Sequence, residues 1–120
     1  MNNAGFDRVI QVLLAEDTLV YGGFSAGAVI AGPTLRGIDI MDNPNLVPDN
    51  YDPAIIWDGL GLVPCSIVPH FRSLHPEANL AEQAAQYLAD NCLNFKTMKD
   101  GDVIIRENNL SRYLSVTDIQ

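Results

Sequence analysis

The sequence predicts an α/β domain, and three observations carry that reading. Residues 6–16 and 80–91 repeat apolar side chains at the 3.6-residue period of amphipathic helices. Short apolar, partly β-branched runs at 18–21 and 66–68 stand between helical segments, as buried strands do. Two further strand-like runs, 103–106 and 113–116, follow the last helix. The order helix, strand, helix, loop, strand, helix, hairpin places helices on the faces of a sheet.

Each element has its own warrant. Phe6, Val9, Ile10, Leu13 and Leu14 fall at i, i+3, i+4, i+7 and i+8, one face of a helix. Residues 25–31 resume helical character until Gly32-Pro33 stops them. Between 34 and 58 periodicity fades, and Pro44, Pro48 and Pro53 each bias the preceding residue away from helix. This stretch reads as a long surface excursion with a helical turn at 53–57, and long loops in compact domains are often functional. Leu80, Ala84, Tyr87 and Leu88 share one face of the second long helix. Asn108 and Asn109 supply a residue type that tolerates the left-handed conformations of a hairpin turn.

Composition sets limits on function. With 120 residues, 48% hydrophobic and 18% charged, the chain is one globular domain of common size. Fifteen Asp and Glu oppose seven Lys and Arg, and no basic cluster exists to bind a nucleic-acid backbone or an anionic membrane. No apolar run approaches the ~20 residues of a membrane span. The start "MNNAGFDR" lacks the basic and apolar regions of a signal peptide, so a cytoplasmic protein is expected. Cys65 and Cys92 lack metal-ligand spacing and read as free, partly buried thiols in reducing surroundings.

The segment "YGGFSAGAVIAGP" contains Gly23-Phe24-Ser25-Ala26-Gly27, a G-x-S-x-G pattern between a predicted strand and a predicted helix. That context suits a nucleophile elbow, in which a strained turn projects the serine hydroxyl and the flanking positions need glycine. The N–H of Ala26 would then help bind an oxyanion. A second reading stays open: a glycine-rich tight turn with Ser25 as a helix cap. A serine nucleophile needs a base, and the chain has two histidines. His70 follows the run "SIVP", at the carboxyl end of a strand where α/β sheets bind ligands. His75, beside Pro76, reads as a loop residue or the start of a helix. For the acid that orients the base, Asp100 and Glu107 flank the run "VII" and neither is preferred by pattern.

These residues carry a resemblance. "YGGFSAGAVIAGP" with "GLGLVPCSIVPHF" resembles the peptidase E (aspartyl dipeptidase) family of serine peptidases, relatives of cyanophycinase. The resemblance implies Ser25 as nucleophile, His70 as general base and Asp100, followed by Gly101, at the position of the family's acid. It implies a class I glutamine-amidotransferase-like (flavodoxin-like) three-layer sandwich. Arg36 matches an arginine often found after the elbow, and Arg72 follows the histidine motif, so both are expected to bind substrate. Family members are much longer. The expectation is therefore that residues 1–120 form a single domain, the C-terminal catalytic portion of that fold, without its first strands and without the glycine-rich segment that supplies a second oxyanion donor.

The expected function is a serine peptidase cleaving short peptides, foremost dipeptides with an N-terminal Asp, without metal or organic cofactor. The alternative is a truncated, catalytically silent remnant that serves as a binding or assembly module. Expected partners are a small peptide substrate and either a second copy of the chain or a complementing N-terminal half, with no nucleic acid and no membrane.

Overall fold

The computed structural model describes residues 1–116. Its secondary structure runs α1 (Phe6–Ala15), α2 (Ala26–Val29), β1 (Ser66–Val68), α3 (Ala78–Asp90), β2 (Phe95–Thr97), β3 (Val103–Glu107) and β4 (Leu110–Leu114), with short 3-10 turns at Asn2–Ala4 and Ile38–Ile40. No helix among these residues is long and apolar enough to cross a membrane.

The centre of the fold is the unit β1–α3–β2. β1 and β2 pair in parallel, Ser66 opposite Phe95 and Val68 opposite Thr97. A parallel pair needs a crossover, and α3 provides it. β1 is buried on both faces. Val68 faces Ala81, Ala84, Ala85 and Leu88 of α3, with Phe71 and Phe95 at the margin. Ile67 faces the other way, toward Ala31 and Val63, with Ala28, Met98 and Ile104 beside them. The alanines of α3 let the helix approach the strand closely. Leu88 is fully buried there, a contribution of about 2 kcal/mol by transfer free energy.

α3 ends where its sequence permits. Leu93 N–H donates to Leu88 O (2.9 Å) and Cys92 N–H to Ala89 O (3.1 Å), the paired bonds of a Schellman motif. Cys92 holds the left-handed position at φ 54° that glycine usually takes. It is exposed, not partly buried as expected, because that position points out of the last turn. Cys65 is half-buried, and burial raises its thiol pKa more than nearby Lys96 lowers it.

Several expectations change. The run 18–21 is not a buried strand: no strand among the described residues pairs with it, and Val20 is 92% exposed. A strand without a ladder partner has nowhere to place its backbone groups except water. The turn at 53–57 is not helical, because the chain there runs against the start of the excursion. Leu35 N–H donates to Trp57 O at 2.8 Å, and Thr34 bridges Asp58. α1 forms as its periodicity predicts, but Phe6, Val9 and Val12 of its apolar side remain exposed. The helix after Ser25 is four residues long rather than seven. Among the described residues the strands form two separate pairs rather than one sheet, and β2 lies in a stretch with no predicted element. β3 and β4 form the expected hairpin, with Asn108 left-handed at φ 52°. The two-residue turn lets pairing begin at once, so β4 starts at Leu110 and not at Tyr113.

Candidate active site

Three segments distant in sequence meet at the carboxyl ends of β1 and β2. The first is the turn before α2. Ser25 has φ 50° and ψ −119°, a conformation that costs a non-glycine residue roughly 1–3 kcal/mol and that surrounding contacts must hold. Ala28 and Val29 N–H both donate to Ser25 O at 3.0 Å, and Gly27 N–H donates to Phe24 O at 2.9 Å. The Tyr21 hydroxyl donates to Gly27 O at 2.7 Å, and its burial pushes the phenol pKa up. Gly23 is needed: a Cβ there would stand 2.4 Å from Gly27 O. Gly27 is not needed in the same way, since its Cβ would meet only Tyr21 Oη at 3.9 Å. The motif's two glycines therefore have different physical grounds, contrary to the expectation that both avoid collision.

The Ser25 side chain makes no capping bond to α2. Its Oγ lies instead 3.0 Å from His70 Nε2. His70 follows β1, itself at φ 60°, with 13% of its side chain exposed. Its Nδ1 lies 2.7 Å from Asp100 Oδ1. A carboxylate only accepts, so Nδ1 carries the proton and donates, leaving the Nε2 lone pair to accept from the Ser25 hydroxyl. Asp100 reaches His70 because β2 runs parallel to β1. The ladder continues past the strands, Met98 N–H donating to Val68 O (2.9 Å) and Phe71 N–H to Met98 O (3.0 Å). Asp100 N–H donates to Ser73 Oγ at 2.8 Å, which fixes the loop. Glu107 pairs with Leu110 beside the hairpin turn instead.

The remaining candidates sit around this core. The Ala26 N–H, next in chain after Ser25, makes no hydrogen bond among the described residues and is open to a ligand. Arg36 lies with its guanidinium 4.6 Å over the Trp57 ring. Arg72 pairs with Glu82, Nε to Oε1 3.0 Å, and is 65% exposed. His75 stacks on His70, ring centroids 3.6 Å apart and planes 7° from parallel, and accepts from Glu77 N–H. Ligand atoms of His70, His75 and Glu77 lie within 4.8 Å of one another. A metal ion needs the imidazole lone pairs to converge on it, and two stacked rings aim theirs along parallel lines, so the group fits an ion poorly.

Two cavities flank Ser25. One, of about 460 Å³, runs from Ser25 and Ala26 along Val29, Ile38, Ile56 and Trp57, with Asp39, Asp42 and Glu77 also in its lining. The other, of about 430 Å³, lies on the side of His70, Lys99 and Asp100. Ser73, Glu77 and Asp39 escaped the sequence reading as parts of the site. No motif marks them, and the β1–β2 pairing and the folded-back excursion bring them in.

A serine hydroxyl on a strained turn, bonded to a histidine that is bonded to a carboxylate, is the arrangement of serine hydrolases. The comparisons narrow this. The family model described as Peptidase family S51 matches residues 1–112, and the chain belongs to that family. Peptidase E of Salmonella arizonae is 37% identical over 71 residues, 59% of this chain and 28% of that relative. Peptidase E of Citrobacter koseri gives the same identity and coverage, and that of Salmonella typhi is 35% identical over 71 residues. A crystal structure of a candidate peptidase E from Listeria monocytogenes EGD-e superposes with a TM-score of 0.76, covering 96% of this chain and 52% of that one. At 22% identity that likeness concerns the α/β fold. The chain thus spans about half the length of that structure, and its matched stretch little more than a quarter of the curated relatives.

Proposed function

We propose that this chain carries the catalytic portion of a serine peptidase of the peptidase E type, acting on short peptides through Ser25, His70 and Asp100. The observation that carries the reading is the pair of contacts Ser25 Oγ to His70 Nε2 (3.0 Å) and His70 Nδ1 to Asp100 Oδ1 (2.7 Å), made by three separate segments. The class I glutamine-amidotransferase-like sandwich goes with this reading. α3 on one face of β1 and α2 on the other support it.

In the acylation step Ser25 Oγ attacks the peptide carbonyl carbon while its proton passes to His70 Nε2. Asp100 keeps Nδ1–H in place and steadies the imidazolium, and Ala26 N–H donates to the oxyanion. Collapse of the tetrahedral intermediate breaks the C–N bond, and His70 returns the proton to the leaving amine. Water, losing a proton to His70, then attacks the acyl ester, and Ser25 leaves with that proton. Dipeptides with an N-terminal Asp are among the substrates to assay. Arg36, stacked over the Trp57 ring, is a cation to test for such a side chain, whereas Arg72 is engaged by Glu82.

Labelling with a fluorophosphonate tests the nucleophile. Ser25→Ala is expected to abolish covalent labelling, and His70→Ala to slow it at least 100-fold, the low end of general-base contributions. Equal labelling of Ser25→Ala and the unmutated protein would remove Ser25 from the mechanism.

A further inference from the structure

His75 is the chain's second imidazole, and it lines neither of the cavities that flank Ser25. It touches the candidate base instead. Its ring lies face to face with that of His70, centroids 3.6 Å apart and planes 7° from parallel. Ring faces meet at ~3.5 Å, so this centroid distance leaves little sideways slip. Two neutral aromatic rings avoid such an arrangement, because both faces are electron-rich and a slipped or edge-on pair is better. The same arrangement becomes attractive when one ring is positively charged, since a cation is drawn to a π face.

The hydrogen bonds decide which ring takes the charge. His75 Nδ1 accepts from Glu77 N–H at 3.2 Å, so the hydrogen of His75 sits on Nε2 and the ring is neutral. A second proton on His75 would break that bond. His70 is placed the other way: Nδ1 donates to Asp100, and Nε2 faces the Ser25 hydroxyl. The stack is therefore weak while His70 is neutral and strong once it is imidazolium. An interaction that strengthens toward the transition state raises the rate rather than the binding. Stacking also does what the two triad bonds do not. Those bonds act in the plane of the His70 ring, where its nitrogens donate and accept, and they resist tilting poorly. His75 blocks one face. It is itself fixed by the start of α3, where Ala78 N–H donates to His75 O at 3.1 Å, and α3 packs on the strand that leads to His70.

We infer that His75 is a positioning residue: it holds the His70 ring toward Ser25 and Asp100, and its face stabilises the imidazolium formed as Ser25 gives up its proton. The second role rests on the peptidase reading, whereas the first does not.

Two substitutions separate the stack from the bond to Glu77. His75→Phe keeps a ring and loses the acceptor, and His75→Asn keeps an acceptor and loses the ring. Fluorophosphonate labelling is followed to saturation, giving a limiting rate and a half-saturating concentration. His75→Phe is expected to label within about threefold of the unmutated protein and His75→Asn about tenfold more slowly, the upper range for a ring pair. The half-saturating concentration should stay the same in both. A residue that merely starts the helix predicts the reverse order. That order, or one rate for both variants, overturns the inference. Proton NMR reads the positioning role without any labelling. The Nδ1–H of His70, assigned by its absence from His70→Ala, is expected as a far-downfield signal in the unmutated protein and in His75→Phe. In His75→Asn it should be lost to exchange with water, and its persistence there overturns the positioning role. Labelling that needs Ser25 but ignores His75 leaves the peptidase standing and sinks the inference. Labelling that ignores Ser25, with the NMR order as expected, sinks the peptidase and leaves the hold of His75 on His70 standing.

Discussion

Replacing each glycine of the serine turn by alanine separates two positions that are equivalent in pattern. At Gly23 an added Cβ would sit 2.4 Å from Gly27 O and 2.5 Å from Gly27 C. Real Cβ contacts stop near 3.0 Å, so the backbone must open by about 0.6 Å, and both obstacles are main chain that no rotamer change can move. Overpacking of this kind costs roughly 1–3 kcal/mol. The same opening displaces Ser25 Oγ from its 3.0 Å contact with His70, and a misplacement approaching 1 Å lowers reactivity by up to about 100-fold. Gly27 is different. It lies within α2, its backbone is not left-handed, and a Cβ there has ordinary contact with Tyr21 Oη at 3.9 Å. Alanine there should stabilise by up to about 1 kcal/mol through helix propensity. The assay is a denaturant midpoint together with the second-order rate of fluorophosphonate labelling. Gly23→Ala is expected to lose on both, and Gly27→Ala to match or exceed the unmutated protein in stability and label within a few-fold of it. Equal damage at the two positions, or a harmless Gly23→Ala, would refute the packing argument for the turn.

Two further predictions concern stability. Cys92→Gly relieves a left-handed side chain in the Schellman motif of α3. The strain of about 1–2 kcal/mol less glycine's added unfolded-state entropy leaves a gain of roughly 0.5–1 kcal/mol in urea unfolding, and no gain would show that the cap is relaxed in solution. Asp102 clamps the hairpin, its carboxylate accepting from Tyr113 Oη (2.6 Å), Val116 N–H (2.9 Å) and Lys99 N–H (2.8 Å). Desolvation raises its pKa, but these bonds and one from the Ser115 side chain outweigh it and hold the group below the usual aspartate range. A depressed folded pKa means stability present above the unfolded value of about 3.9 and lost as pH falls through the lower folded value. Unfolding midpoints should therefore drop below about pH 4 more steeply in the unmutated protein than in Asp102→Asn, and parallel acid limbs would contradict the clamp.

Much of the site was legible because its signals are local. The turn at Ser25 is announced by small residues between an apolar run and a helix, since only such a string allows a strained bend with a free N–H after it. His70 is marked by the buried run before it, which places it at a strand's carboxyl end. What stayed hidden depends on partners. Residues 18–21 have strand composition, yet strand formation requires a neighbour to take the backbone hydrogen bonds. β2 is three residues long, too short for any periodicity, and so the choice between Asp100 and Glu107 could not be made from pattern.

Sequence alone thus determined the α/β class, the two long helices, the hairpin and the two chemical groups, serine and imidazole, at their turns. Tertiary structure decided which carboxylate meets His70, that Ser25 bonds the imidazole rather than capping α2, and which charges line the cavity. The division follows from range. Helix periodicity and turn chemistry are set by neighbours a few residues away, whereas the Ser25, His70 and Asp100 contacts span separations of 45 and 30 residues and exist only once β1 and β2 lie side by side.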